Sequence, residues 1–363
     1  MADEDNIYDA VERLEWDERN EDDDPGKRWK QLTRRTALTG GAAGIAALAL
    51  DACGGSSSSS ASGSSAASIF GASGSYKFTF VNHVTTNPFF APTQTGAADA
   101  CKLLGCSYQW TGSQTSNVSE MLNAFNSAVS AGVTGIAVSL VSQTAFNAPV
   151  QKALSAGIPV VAYNADAAGN ARLSYIGQDL FKSGQVLGQH IATLVPSGDV
   201  ALFIATPGSL NIQPRINGVQ DVLKSHPSIK THVVATGAAL PTELSTIQAY
   251  AKGHPSTKGM FAVDAGSTQS VAQTIQQQGL KGKVKGGGYD FLGPTAQLFA
   301  AGYIQVSIDQ QAYLQGFLPI QQLYMYKASN KLTGVADVNT GIKAVTSSTI
   351  PLYVTKSSNK YER

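Results

Sequence analysis

The sequence predicts an α/β protein of parallel sheets, divided between two doubly wound lobes. Three observations carry this prediction. One phrase recurs along the chain: the end of a helix, a glycine, then a short strand. The strands in that phrase are apolar throughout, as expected where helices cover both faces of a parallel sheet. The phrase also recurs too often for one small sheet.

The phrase is clearest in two segments 25 residues apart. Ala128-Val-Ser-Ala-Gly132-Val-Thr-Gly-Ile-Ala-Val138 nearly superposes on Ala153-Leu-Ser-Ala-Gly157-Ile-Pro-Val-Val-Ala-Tyr163. In each, the glycine suits the left-handed position that ends a helix. The helix before the first segment carries Met121, Leu122, Phe125 and Val129 on one stripe. Asn117, with Glu120 three positions later, reads as its N-terminal cap. Glycines 105 and 279 repeat the pattern before further strands. Ten strands follow from this rhythm, near 77–84, 107–111, 135–139, 160–163, 174–177, 200–205, 231–235, 259–263, 285–288 and 305–308. Strands alternating with helices of this length imply βαβ units.

The 363 residues suffice for two domains, and 43% are apolar. Only 14% are charged. Residues 1–52 hold 7 Lys/Arg and 13 Asp/Glu, so the remainder is about +7 although the whole chain is +1. No basic run interleaved with aromatics occurs, which argues against nucleic acid as a partner. Three cysteines and five scattered histidines show no metal-ligand spacing, and no cofactor is expected. Gly286-Gly287-Gly288 lacks the spacing and following lysine of a phosphate loop.

Residues 1–52 read as an export segment rather than as fold. An acidic lead precedes Lys27, Arg28, Lys30, Arg34 and Arg35, and an apolar stretch follows over 36–50. That stretch is too short for a comfortable membrane span. Thr33-Arg34-Arg35 resembles a twin-arginine signal; an ordinary secretory signal is the other reading. Leu50-Asp51-Ala52-Cys53-Gly54 resembles a bacterial lipobox, which implies lipid attachment at Cys53. Residues 53–75 are almost entirely Ser, Gly and Ala after that cysteine, the composition of a flexible tether. The alternative is a free secreted protein with a spare thiol. A Cys101–Cys106 disulfide is open on sequence alone.

Ligands of open α/β sheets bind outside the carboxyl ends of the strands. The first strand is followed by Asn87, Pro88, Phe89 and Phe90. Later strand ends lead to Asn164 and Asp166, to Asn211 and Arg215, to Asp264, to Tyr289 and Asp290, and to Asp309 and Gln310. Carboxylates are scarce after residue 52, and arginine is confined there to Arg172, Arg215 and Arg363. Asp accepts from vicinal hydroxyls, Arg donates a fork, and Asn and Gln do both. The set suits a small polyhydroxylated ligand. Each residue also has a plainer reading. Asp264 and Asp290 could be helix caps, Asn87-Pro88 a turn, and Phe89, Phe90 and His83 packed residues.

These residues resemble a known family. Thr86-Asn87-Pro88-Phe89-Phe90 is similar to the signature of type I periplasmic sugar-binding proteins, the ribose-binding group. Further matches are Gly157-Ile158-Pro159-Val160-Val161, Arg215-Ile216-Asn217-Gly218, His254-Pro255 leading to Phe261-Ala262-Val263-Asp264, Tyr289-Asp290, and Gln310 with Gly316. The resemblance implies two Rossmann-like lobes joined by a three-crossover hinge, spanning 76–178 plus 310–339 and 179–309 plus 340–363. It implies a monomeric, non-enzymatic solute-binding protein that delivers its ligand to the membrane subunits of an ABC permease. By position, Asn87, Phe89, Phe90, Asn164, Arg215, Asp264, Asp290 and Gln310 should contact that ligand. The ribose-binding pattern has Asp-Arg where Asn164-Ala165 stands, and Asn where Asp264 stands. This departure favours another aldose, a polyol or a cyclitol over ribose. A sensory protein presenting the sugar to a receptor is an alternative. An exported sugar-active enzyme would need an acid/base constellation that the sequence does not display.

Overall fold

The computed structural model describes residues 75–331 and 335–354. The export segment with Cys53, and most of the tether, lie outside the described residues.

In chain order the first elements are β1 (Lys77–Asn82), α1 (Ala91–Leu104), β2 (Ser107–Gly112), α2 (Val118–Ser130), β3 (Gly135–Val138), α3 (Asn147–Ser155), β4 (Val160–Tyr163) and β5 (Tyr175–Gly177). There follow α4 (Leu180–Leu194), β6 (Gly198–Ile204), α5 (Gln213–Leu223), β7 (Ile229–Ala235), α6 (Leu240–Gly253), β8 (Gly259–Ala262) and α7 (Ala265–Gln277). The last are β9 (Lys285–Tyr289), α8 (Gly293–Ala300), β10 (Val306–Asp309), α9 (Leu314–Ala328), β11 (Val338–Asn339) and β12 (Lys343–Thr346). Each of the ten expected strands is present, and β11 and β12 are additional.

The strands form two sheets, ordered β11-β5-β4-β3-β1-β2 and β12-β10-β9-β8-β6-β7. Every pairing is parallel except β10 with β12. Helices cover both faces of each sheet. In the first lobe Val81, Ile136 and Val138 face Met121 and Phe125 of α2 and Val150 of α3. On the opposite face Phe78, Phe80 and Tyr163 meet Ala97 and Leu104 of α1 and Ile320 and Leu323 of α9. In the second lobe Leu202 and Ile204 pack on Leu187 and Ile191 of α4 and Ile216 of α5. Phe203 and Met260 pack on Ile247 of α6 and Val271 and Ile275 of α7. Side-chain alternation along β1 and β6 sends neighbouring residues to opposite faces, so both faces must be apolar.

The local signals act as their chemistry requires. Asn117 caps α2 by accepting from Ser119 and Glu120 N–H. The Glu120 carboxylate does not close back on Asn117 but accepts from Ser113 Oγ at 2.6 Å. Gly105, Gly132, Gly157 and Gly279 all have positive φ where a helix ends. Cys101 and Cys106 are free thiols.

The chain crosses between the sheets three times: after β5, between β10 and α9, and between β11 and β12. Hydrogen bonds tie the crossings to one another. Gln178 Nε2 donates to Gly341 O at 2.9 Å, and Thr340 Oγ1 donates to Gln310 O at 2.7 Å.

Candidate functional site

One cleft opens between the two lobes, at the carboxyl ends of their strands. It is lined by His83, Asn87, Phe89, Phe90, Asn164, Asn211, Ile212, Arg215, Asp264, Ala265, Asp290 and Gln310, around a cavity of about 50 Å³. All eight residues expected to contact a ligand stand in this lining. His83, expected as a packed residue, and Asn211, outside the expected contact set, line the cleft as well. Their only sequence signal is position: both follow a strand, or the loop after it.

Several residues hold both roles weighed for them. Asn87 caps the 3-10 turn Pro88–Phe90, accepting from Phe89 N–H at 2.9 Å, and still faces the cleft. Phe90 is buried against Phe80 and Trp110 from the first lobe's core while one edge meets Phe89, with ring centroids 4.8 Å apart. Asp264 caps α7 through Ser267 N–H at 2.8 Å, and its other oxygen accepts from Ala205 N–H at 3.0 Å. Asp166 and Asp309 lie apart from the cleft. Asp166 forms a two-pronged ion pair with Arg172, and Asp309 accepts from Gln311 and Tyr353.

Arg215 is the cation of the site. It is 2% exposed, with its guanidinium 3.9 Å above the Tyr289 ring. Nη1 donates to Val263 O at 2.8 Å and Nη2 to Gln178 Oε1 at 3.0 Å. Nε has no acceptor, and Asn164 Oδ1 on the facing lobe has no donor. A buried polar atom without a partner costs about 1–3 kcal/mol. The cleft therefore holds one unmet donor and one unmet acceptor.

Asp290 receives Gln310 Nε2 at 2.6 Å. Burial pushes its carboxyl up to about 7, only partly offset by Arg215 and Gln310. Gln310 belongs to a chain of amides beneath the cleft. Gln315 Nε2 donates to Gln310 Oε1 at 3.1 Å, and Asn164 Nδ2 donates to Gln315 Oε1 at 3.2 Å. Asn164 and Asp290 both adopt left-handed backbone, with φ of 64° and 60°. Asn and Asp tolerate that region best among non-glycine residues, and such conformations cluster at functional sites.

The lobes touch across the cleft mouth. Asn211 Nδ2 donates to His83 Nε2 at 3.1 Å, which leaves the ring proton on Nδ1, 3.1 Å from Ser139 Oγ. Leu210 N–H donates to Val141 O at 3.1 Å, and its side chain packs against the first lobe's core. Burial drives His83 down to about 4. Among the described residues no cluster of His, Cys, Asp and Glu could hold a metal.

Residues 78–331 match the family described as periplasmic binding protein domain. The chain belongs to this family. Export from the cytoplasm comes with that membership. The binding protein is 51% identical over 304 residues to the xylose/arabinose-binding protein XylF of Sulfolobus acidocaldarius, covering 79% of this chain and 75% of that one. It also superposes on a solute-binding protein of an ABC transporter from Burkholderia graminis, solved in complex with D-arabinose. That match has a TM-score of 0.72 and 26% identity, over 77% of this chain and 98% of the other. The glucose-galactose binding protein GanP of Geobacillus stearothermophilus shares the fold, with a TM-score of 0.70 and 22% identity over 77% and 99% of the two chains. These relatives are named as binding proteins, not enzymes.

Proposed function

We propose that the protein captures a small neutral sugar or polyol between its lobes and delivers it to an ABC permease. The observation that carries this is the unmet pair, Arg215 Nε and Asn164 Oδ1, buried in one cleft. A hydroxyl group both accepts and donates, so one polyol satisfies both. Asn87, Asp264, Asp290 and Gln310 supply further partners, and Phe89 and Phe90 offer an apolar edge to C–H faces. A pentose is the first candidate, because the relatives include a xylose/arabinose-binding protein and an arabinose complex.

In this reading the lobes span 76–178 plus 310–339 and 179–309 plus 340–363, and the three crossings act as the hinge. The protein works as a monomer. Cys53 carries the lipid, residues 53–75 are the tether, and the twin-arginine route exports the chain. Cys53→Ser should move the protein from membranes to the soluble fraction.

A thermal-shift panel of pentoses, hexoses, polyols and inositols tests the central claim. A ligand that binds only the native state stabilises it by RT ln(1 + [L]/Kd). D-xylose or L-arabinose should raise Tm clearly at millimolar concentration. No shift from any compound in the panel sinks the sugar reading.

A further inference from the structure

Glu243 stands in the first turn of α6, where acidic residues usually face water. Here it is 1% exposed, and its Oε2 receives no hydrogen bond. It lines a chamber with His83, Asn87, Thr206, Asn211 and Asp264. Four of these residues also line the cleft described above, so the two spaces adjoin. Gly266 completes the arrangement. A Cβ at that position would collide with the Glu243 carboxyl, so the start of α7 is bare where Glu243 comes down on it.

The Glu243 carboxyl faces that of Asp264. Two buried carboxyls in contact cannot both be ionised, so one holds a proton. Their surroundings decide which. Burial raises the Asp264 carboxyl too, but it accepts two backbone N–H groups and lies within the field of Arg215, each of which favours its charged form. Glu243 has neither. Burial first, and Asp264 second, push Glu243 up to about 9. The remaining titratable group on the chamber wall is His83, which burial holds neutral.

We infer that Glu243 is a specificity-determining residue of the sugar site: it carries a proton, donates it to Asp264, and so fixes Asp264 as an acceptor for a ligand hydroxyl. This rests on the sugar-binding reading. The pair presents one negative charge rather than two, together with a definite direction for the hydroxyl it accepts from. It therefore selects neutral sugars against sugar acids, whose carboxylate would meet the charge on Asp264.

The experiment is calorimetric titration of D-xylose and L-arabinose into the full chain, from pH 6 to pH 10, for wild type, Glu243→Gln and Glu243→Leu. Opening the cleft hydrates Glu243 and lowers its pKa, so closure on ligand takes up a proton. Wild-type affinity should fall at least threefold as pH rises towards 9, then level off. Glu243→Gln donates without titrating and should give a flatter profile. Glu243→Leu cannot donate and should lose at least tenfold at pH 6. Full affinity in Glu243→Leu, or identical profiles for wild type and Glu243→Gln, overturns the assignment. If wild type binds neither sugar at 10 mM (a chosen upper concentration, on the order of the weakest useful Kd), the choice of a pentose fails on its own, and the titrations move to whichever compound of the panel raises Tm. Ligand-free melts then decide the proton. The Tm of Glu243→Gln should gain on wild type by about 3 °C or more between pH 4.5 and 9. A constant gap overturns the protonated Glu243.

Discussion

His83 Nε2 lies 3.1 Å from Asn211 Nδ2, and the two residues belong to different lobes. On the proposed hinge, the bond exists only while the lobes are together, and only when the imidazole is neutral. Parting the lobes would hydrate His83 and raise its pKa from about 4 towards the ordinary 6.5.

Acid should therefore open the protein. A group whose pKa is depressed in one state stabilises that state above its free pKa and ceases to as pH falls. Affinity should be unaffected by His83 above pH 6.5 and weaken by up to tenfold per unit between 6.5 and 4. His83→Gln keeps a polar partner for Asn211 without titrating, and its affinity should be flatter over that window. Calorimetry of both proteins between pH 4 and 7 checks this.

Asp290 has the opposite sign. Its folded value of about 7 lies above the free value of 3.8, so the folded state holds a proton that the unfolded chain has released. The stability this contributes is complete below 3.8 and lost as pH rises through 7. Asp290→Asn should melt higher than wild type at pH 8, and the gain should vanish below pH 3.8. The same variant should lose the ligand-induced shift. Melting curves across pH, with and without pentose, separate the two effects.

Arg215→Lys tests the fork. An ammonium cannot reach Val263 O, Gln178 Oε1 and the Tyr289 ring together, as the guanidinium does. Lost charge-assisted bonds cost about 1.5–3 kcal/mol each, so ligand affinity should fall at least tenfold. Calorimetry with D-xylose measures the change.

Gly184→Ala probes the floor beneath Arg215. A Cβ on Gly184 would strike the Arg215 backbone, and one on Gly218 would strike Phe181 O, so α4 and α5 touch main chain to main chain. Overpacking here should cost about 1–3 kcal/mol, and the displacement of α5 should weaken binding as well. Gly132→Ala is the control. It has φ of 63° and open space around it, so it should cost about 1–2 kcal/mol in stability and leave affinity alone. Denaturation midpoints and calorimetry on both variants make the comparison.

Much of this was legible because the fold is periodic. The helix-glycine-strand phrase placed ten strands, the strand-end rule gathered a wider polar set that included Asp166 and Asp309, and the family resemblance narrowed it to the eight residues that line the cleft. The sequence concealed what depends on contact across long separations. Strand β11 is two residues long and has no pattern of its own. His83 looks like any histidine until Asn211 meets it from 128 positions away. Glu243 enters none of the patterns read from the sequence. Only the packing of α6 on α7 buries it beside Asp264.

The interleaving of the two lobes also has a consequence for how the chain is made. Ile320, Leu323 and Tyr324 of α9 cover part of the first sheet, and β11 closes its edge, yet all are encoded after strands β6 to β10 of the second lobe. The second sheet in turn receives its last strand, β12, only from residues 343–346. The first sheet therefore waits for its cover until most of the second lobe has been made. A nascent chain that has reached only β10 carries a first sheet without the cover of α9, and the two sheets receive their closing strands within a few residues of each other.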